Sequence, residues 1–412
     1  TKSVPITREM VWQAYLKVKK GGKSAGVDKV SMEEFDANRS KYLYKLWNRM
    51  ASGSYFPPPV KEAEIPKKDG KVRKLGIPTI SDRVGQMVVK EYLEPRFEKI
   101  FSPHFYGYRP KKNAHQALSE VRKNCRRTDW VMDLDIKGYF DNIDHEKLML
   151  LALEKHVPEK WVWLYLTRWL NMPVLTKSGK LVENQGKGTP QGGVISPLLA
   201  NLFLHYAFDK WLETMHKTVK FVRYADDAII HCNSKSHAES VLKDIQARMF
   251  ECKLELHPDK TKLVYCRDYR RKGKHPVVKF DFLGYSFQPR TNKSKRTGKL
   301  FLGYDCAISM SSRKKIADKI GEMDFFSLSF KSIVGIAQKL NPYIRGWVNY
   351  YGKFRGYELT KVFYLLRCRL VRWARNRYKR YRTSLTRACR WLDRVRKQYP
   401  SLFYHWQLGF SH

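Results

Sequence analysis

An α+β fold is predicted by three observations. Short stretches alternate apolar and polar residues with a period of two, as WVMDLDI does over 130–136. Apolar residues recur at helical spacing near both ends of the chain, as Ile333, Ile336, Ala337, Leu340, Ile344 and Trp347 do. Strand-like and helix-like segments follow one another without an internal repeat or a long low-complexity tract.

Taken in order, residues 1–56 read as helical and basic, with Trp12, Leu16, Leu43 and Trp47 as apolar positions. VKEAEIPKKDGKVRKLGIP reads as a β-hairpin turning at Asp69-Gly70. SDRVGQMVVKEYLEPRF predicts a buried helix that starts near Ser81 and stops at Pro95. In WVMDLDI, Trp130, Met132, Leu134 and Ile136 share one face, and Asp133 and Asp135 share the other. A helix capped near Asp144 is expected to run through LMLLALEKH. Ser196-Pro197 supplies an N-cap and first turn for PLLANLFLHYAF, a helix apolar nearly all round and therefore buried. FVRYADDAII reads as strand, turn, strand. FDFLGYSF and KLFLGYDCAI read as strands bridged by the basic loop QPRTNKSKRTG, and helices follow from about residue 311, one of them kinked or split at Pro342.

Lys and Arg number 80 against 39 acidic residues, a net charge of +41. An excess of that size opposes compaction and is tolerated when a polyanion neutralises it, which points to nucleic acid. Residues 361–400 alone hold 14 Lys and Arg against the single acid Asp393. No apolar run reaches the roughly 18 residues of a spanning helix, and no N-terminal signal pattern is seen, so a membrane role is not expected. The seven cysteines are scattered without C-x-x-C spacing, as in a reduced cytoplasmic protein.

Asp226 and Asp227, side by side in an apolar run, admit three readings. They are a solvated turn, a calcium site, or a magnesium site for phosphoryl or nucleotidyl transfer. Calcium is disfavoured because D-x-D-x-D-G spacing is absent. Magnesium needs oxygen ligands from more than one segment, and Asp135, about ninety residues earlier at the end of a strand, is placed to supply one.

DIKGYFDNIDH at 135–145, GTPQGGVISPLLAN at 188–201 and YADD at 224–227 resemble the motifs of reverse transcriptases, in the order and separation of group II intron-encoded proteins. IPKKDGKVRKLGIP at 65–78, YGYRP at 106–110, HPDKTK at 257–262 and FLGY at 282–285 add to the resemblance. LNPYIRGWVNYY at 340–351 looks like the maturase, or thumb, region of that family. The likeness covers about residues 20–400. It implies a right-hand polymerase: N-terminal extension and fingers over 1–130, a palm with an antiparallel sheet over 131–306, and a helical thumb or maturase domain with a basic end over 307–412.

The resemblance also implies roles. Asp135 and Asp226 would be the principal ligands of two Mg²⁺ ions, with Mn²⁺ as an alternative; Asp227 would contribute less directly, and Ile136 would join beside Asp135. Asp133 is not a ligand of the family and is structural. Lys67 and Arg73 match a triphosphate clamp, Tyr139 the aromatic against the nucleotide sugar that favours dNTP over NTP, and Gln191 a contact to the sugar region. Lys260 matches a proton donor to pyrophosphate, and Leu283-Gly284 the turn that grips the primer end. Arg345, Tyr350, Lys353 and Arg355 would contact primer and template, since cations neutralise phosphates and rings stack on bases. The implied partners are an RNA template, structured intron RNA included, a DNA or RNA primer and dNTPs, in the cytoplasm of a bacterium.

Two further expectations complete the reading. GGKSAG at 21–26 is not a phosphate loop, because Lys17 stands at the first glycine position and no apolar strand precedes it. No Cys- and His-rich module follows residue 400, so the DNA-cleaving domain of some relatives is expected to be absent. The principal function the resemblance implies is RNA-directed DNA polymerisation with a maturase role in splicing and retrohoming. The alternatives are an RNA-binding maturase devoted to splicing and a host-adapted reverse transcriptase in defence or repair.

Overall fold

Capping side chains and apolar spacing account for the helical start of the chain. The structure, a computed structural model, describes residues 4–66, 72–294, 296–323 and 332–410, with Arg73 described by its backbone alone. α1 (Arg8–Lys19) begins where the Thr7 side chain accepts the Met10 amide, and it buries Val11, Ala14, Tyr15 and Val18. α2 (Met32–Ala37) is capped by Ser31, and α3 (Arg39–Ala51) follows. β1 (Val60–Pro66) and β2 (Val72–Ile77) pair antiparallel with Ile65 opposite Arg73. The hairpin reading therefore holds for both strands, while its Asp69-Gly70 turn lies outside the described residues.

α4 (Ile80–Glu98) corrects one expectation. It starts at a Thr79 cap and runs through Pro95 instead of stopping there. The missing Pro95 amide is outweighed by packing on either side. Leu93 and Phe97 are fully buried, and Arg96 is anchored to Glu159 at 2.7 Å.

α5 (Ala114–Cys125) leads to β3 (Trp130–Leu134), which ends one residue short of Asp135. α6 (Tyr139–Asn142) and α7 (His145–Leu148) come next, the latter capped by Asp144 as expected. The predicted continuation is not α-helical. A π-helical turn over Met149–Leu153 carries the chain on and buries Ala152 and Leu153.

α8 (Lys160–Leu170) precedes β4 (Val174–Leu175) and β5 (Leu181–Val182), which complete a sheet ordered β2-β1-β4-β5. α9 (Ser196–Leu204) is buried nearly all round, but Ile195 rather than Ser196 occupies its N-cap, with Pro197 in the first turn. α10 (Lys210–Met215) follows a second π turn. β6 (Lys220–Tyr224) and β7 (Asp227–Cys232) pair Tyr224 with Asp227, leaving Ala225 and Asp226 as a two-residue tip. α11 (Lys235–Glu251) leads to β8 (Lys262–Tyr265), and a four-stranded sheet is ordered β6-β7-β3-β8.

β9 (Phe280–Phe282), β10 (Tyr285–Lys293) and β11 (Leu300–Ile308) form a meander. FDFLGYSF is thus two strands, turned at Leu283 (φ 47°) and Gly284 (φ 78°), the paired positive φ values of a tight hairpin. α12 (Met310–Glu322) and α13 (Ile333–Tyr351) follow, and α13 passes through Pro342 without a split. α14 (Thr360–Arg377), α15 (Leu385–Gln398) and α16 (Tyr404–Gln407) close the chain. The expected stripe of α13 buries Ile336, Ala337, Leu340 and Ile344 in one core with Leu366, Leu370 and Leu392, while Ile333 and Trp347 are partly buried at its edge.

The chain divides into two compact units, 1–113 with 132–262, and 114–131 with 263–412. All seven cysteines are free thiols; five are buried, Cys389 is half-buried and Cys368 is exposed.

Candidate active site

The acidic tip is built from beneath by a buried cation. Arg223 in β6 is 1% exposed, and burying its charge requires a partner. Asp209, fully buried, supplies it: Arg223 Nε donates to Asp209 Oδ1 at 2.6 Å, and a second nitrogen reaches Oδ2. Burial alone would raise the Asp209 pKa, but the Arg223 charge overrides it and holds the carboxyl below the usual carboxylate range. The remaining Arg223 nitrogen donates to the Ala225 carbonyl at 2.8 Å. The guanidinium also lies 3.9 Å from the centre of the Phe105 ring.

The same tip is held from the side by YGYRP. The Tyr106 amide donates to the Arg223 carbonyl at 2.8 Å. A Cβ on Gly107 would stand 2.4 Å from the Ala225 backbone nitrogen, so only glycine fits. Asn201 of α9 donates to the Gly107 carbonyl at 3.2 Å. Ala225 itself sits at φ 56°, left-handed for a residue with a side chain, which costs roughly 1–2 kcal/mol. That strain sets Asp226 at the tip and Asp227 at the first position of β7.

Asp135 is brought to the same neighbourhood by HPDKTK. Its carbonyl accepts the His257 amide at 2.8 Å, and the next residue, Ile136, bridges Leu256. Lys260, in the turn that follows, places Nζ 3.1 Å from Asp135 Oδ2. Asp227 keeps an open surface as a residue, yet its carboxyl is crowded. Its pKa is pushed up to about 7, first by desolvation and then by the Asp226 and Asp135 charges, with Lys260 opposing. Asp227 therefore lies within electrostatic reach of both Asp226 and Asp135, and Ile136, the residue after Asp135, is 8% exposed. Among the described residues, no three His, Cys, Asp or Glu side chains are gathered tightly enough to hold a metal ion unaided.

The glycine-rich loop at 188–193 is wired to α6 and β2. The Gly188 and Thr189 amides donate to the Ile143 and Phe140 carbonyls at 2.7 and 2.8 Å. Gln191 donates from Nε2 to Asp141 at 2.8 Å, and its carbonyl accepts the Gly76 amide at 2.8 Å. A Cβ on Gly192, at φ 123°, would meet the Gly76 carbonyl at 2.5 Å. Gln86 of α4 anchors the end of the loop, accepting the Val194 amide at 2.7 Å while donating to Asp82 at 2.8 Å. Beside this loop a groove is lined by Glu62, Lys74, Asp141, Lys187 and Gln191. Tyr139 is 3% exposed with its hydroxyl given to the Ala200 carbonyl, while Phe140 is half-buried. Lys67 and the Arg73 side chain lie outside the described residues.

In the second unit, the Leu283-Gly284 turn is held by Tyr350, whose hydroxyl donates to the Leu283 carbonyl at 2.8 Å. The Tyr350 carbonyl in turn contacts His115 Nε2 at 2.8 Å and accepts the Tyr285 hydroxyl at 2.5 Å. A Cβ on Gly284 would meet Ser312 and Tyr351 at 3.0–3.3 Å. Arg355 donates to Asn292 at 2.6 Å, and Arg345 is exposed over Tyr404. Lys353 is exposed.

Sequence reasoning named Asp135, Asp226, Gln191 and Lys260 but missed Arg223, Asp209, Gly107, Asn201 and Gln86. An arginine inside an apolar strand run was the available signal, since such a charge needs a buried acid.

An α+β chain with carboxylates at a hairpin tip and a glycine-rich loop wired to α6 and β2 has the make-up of a template-directed polymerase. The reverse transcriptase (RNA-dependent DNA polymerase) family model matches residues 65–287, and the group II intron maturase-specific domain matches 313–391. The chain belongs to the group II intron-encoded reverse transcriptase and maturase family, with the α+β right-hand polymerase fold; it is an RNA-directed DNA polymerase with a maturase domain. Protein YkfC of Escherichia coli is 30% identical over 287 residues, 60% of this chain and 74% of the relative. The group II intron-encoded protein LtrA of Lactococcus lactis is 28% identical over 430 residues, 84% of this chain and 68% of LtrA. A telomerase from Candida albicans, solved with a fragment of telomeric RNA, overlaps 92% of this chain and 67% of its own at TM-score 0.47 and 13% identity, a likeness that carries no further argument. No helix among the described residues is long and apolar enough to cross a membrane.

Proposed function

We propose that Asp135, Asp226 and Asp227 form the nucleotidyl-transfer centre, joining a dNTP to a primer on an RNA template. The observation that carries this is the placement of the acids. Asp226 and Asp227 stand at the tip of the β6–β7 hairpin, and Asp135 follows β3 in the same sheet with Lys260 3.1 Å from its carboxylate. Burial and the Asp226 and Asp135 charges raise the Asp227 pKa. Like charges held this close suit divalent cations, and the donor set is all carboxylate oxygen, the chemistry Mg²⁺ or Mn²⁺ prefers. Asp135 and Asp226 would be the principal ligands of two ions, with Asp227 and the backbone at Ile136 beside them. Mg²⁺ usually takes one or two carboxylates with waters and substrate phosphates, so a gathered three-ligand cage is not required. When bound, the ions supply the positive charge that lowers the cost of attack by the primer 3′-hydroxyl and of pyrophosphate departure.

The chain's own residues do the rest. Lys67 and Arg73 hold the triphosphate, Gln191 orients the sugar region, and Tyr139, buried beside the half-buried Phe140, backs the wall at which a 2′-hydroxyl is disfavoured. Lys260 delivers a proton to the departing pyrophosphate oxygen, and its 3.1 Å approach to Asp135 keeps it at the centre. Leu283-Gly284 positions the primer end, and Arg345, Tyr350, Lys353 and Arg355 serve the primer–template duplex, Tyr350 by fixing the turn. The fingers would comprise 1–130, the palm 131–306 and the thumb 307–412. The basic α14 and α15 would bind structured intron RNA and promote its splicing, in the cytoplasm.

Asp226→Ala is expected to abolish primer extension on an RNA template while leaving splicing nearly intact. Extension by the variant near the normal rate would refute the site.

A further inference from the structure

A cluster of arginines in the second unit is left short of negative charge. Arg290 of β10, Arg313 of α12 and Arg355, in the connection between α13 and α14, converge on Glu358, Asp305 and their surroundings. Arg313 reaches Glu358 at 2.6 Å, whereas Arg290 reaches it only at 3.5 Å. Arg355 stands 3.9 Å from Asp305, which Arg122 already holds at 2.5 Å. Lys361 adds a further cation 3.7 Å from Glu358. Five cations thus share two carboxylates.

Each of the three central arginines also leaves one donor unmet, although the terminal nitrogens of Arg355 reach Asn292, Tyr357 and the Thr291 carbonyl. Arg290, Arg313 and Arg355 each bury an Nε–H that finds no acceptor among the described residues. Their side chains are only 11%, 18% and 16% exposed, so water does little to compensate. Burial, followed by the Arg355 and Arg313 charges, holds the Arg290 guanidinium below its ordinary pKa, although Glu358 opposes this. Arg355 is moreover held at φ 49°, a conformation with a cost, by its bond to Asn292. Charge excess, orphaned donors and backbone strain coincide in one place.

We infer that Arg290, Arg313 and Arg355 form a phosphate clamp that takes a phosphodiester of a bound nucleic-acid strand. A guanidinium fork matches phosphate oxygens, and a phosphate here would bring the cluster close to charge balance. The inference rests on the polymerase reading and adds to it a fixed backbone contact on β10 and α12.

The test is primer–template affinity of the full chain across a series of salt concentrations. R290Q and R313Q, each with an unchanged melting temperature, are expected to lower the salt slope by about 1 and to weaken binding uniformly across sequences. R290K and R313K keep the charge and should retain most of the slope. If a glutamine variant fails to fold, E358Q provides the converse measurement: freeing two arginines should tighten binding. Wild-type slopes in R290Q and R313Q, or unchanged affinity in E358Q, overturn the clamp. Inorganic pyrophosphate that stabilises wild type but not R290Q, with the strand slope unmoved, would assign the site to a free anion and overturn it equally. D226A is expected to bind with the wild-type slope and not to extend, so failure of the polymerase reading is seen separately.

Discussion

Gly107 and Arg223 show how residues outside the carboxylate set fix its geometry. In Gly107→Ala the new Cβ would press on the Ala225 amide, with 2.4 Å where contact needs more than 3 Å. Displacing the tip by about 1 Å is expected to cut kcat by about 100-fold, and the overlap to cost about 1–3 kcal/mol of stability. A Gly107→Ala enzyme that extends primers at the normal rate would show that the wedge is not needed. Asp209→Asn acts differently, because it strands a buried guanidinium, and it should cost about 3–5 kcal/mol in denaturant unfolding. Neither role is visible from the motif letters. YADD shows where the acids stand, whereas the support comes from positions 106–107, 201 and 209, and their meeting depends on pairing between distant segments.

At the level of elements, β3 was legible from residue alternation, whereas β6 and β7, buried on both faces, were legible as short apolar runs on either side of a turn. Periodicity alone reads FDFLGYSF as one strand, because Leu283 is not a residue that favours positive φ and the fold imposes that conformation through Tyr350; the family resemblance is what placed a turn there. Helix ends misread at Pro95 and Ser196 share a cause: tertiary packing of buried neighbours outweighed local capping rules. The π turns at Met149 and His205 carry no sequence signal that period counting detects. The helical core also carries a pH liability. His405 is 2% exposed and stacked on Phe363, with its pKa lowered by burial to about 3. A depressed histidine favours the neutral form in the folded state, so its contribution is intact above about pH 6.5 and is lost as pH falls toward 3. At pH 5 the loss should be about 2 kcal/mol. His405→Phe is expected to flatten the fall in melting temperature between pH 7 and pH 5, and a parallel fall in the variant would show that other groups control it.

Across the whole molecule, a net charge of +41 makes affinity for RNA a function of ionic strength. The excess was plain in composition, but its distribution was not. Arg367 is tied to Asp393 at 2.6 Å, whereas Arg377, Lys379 and Arg380 are exposed around the end of α14. Replacing these three by glutamine is expected to lower the salt slope for single-stranded RNA by about 2 and to impair intron splicing, while extension on a short template persists. An unmoved slope, measured by anisotropy, would remove this segment from the RNA-binding surface.

The distribution of thiols has a practical bearing on handling. Five sulfurs are sealed in the interior, and Cys368, on the outer side of α14, is open to reagents. Aerobic storage should therefore covalently join two copies through Cys368, giving a doubled band on a non-reducing gel that C368S abolishes. Persistence of that band in C368S would implicate the half-covered Cys389.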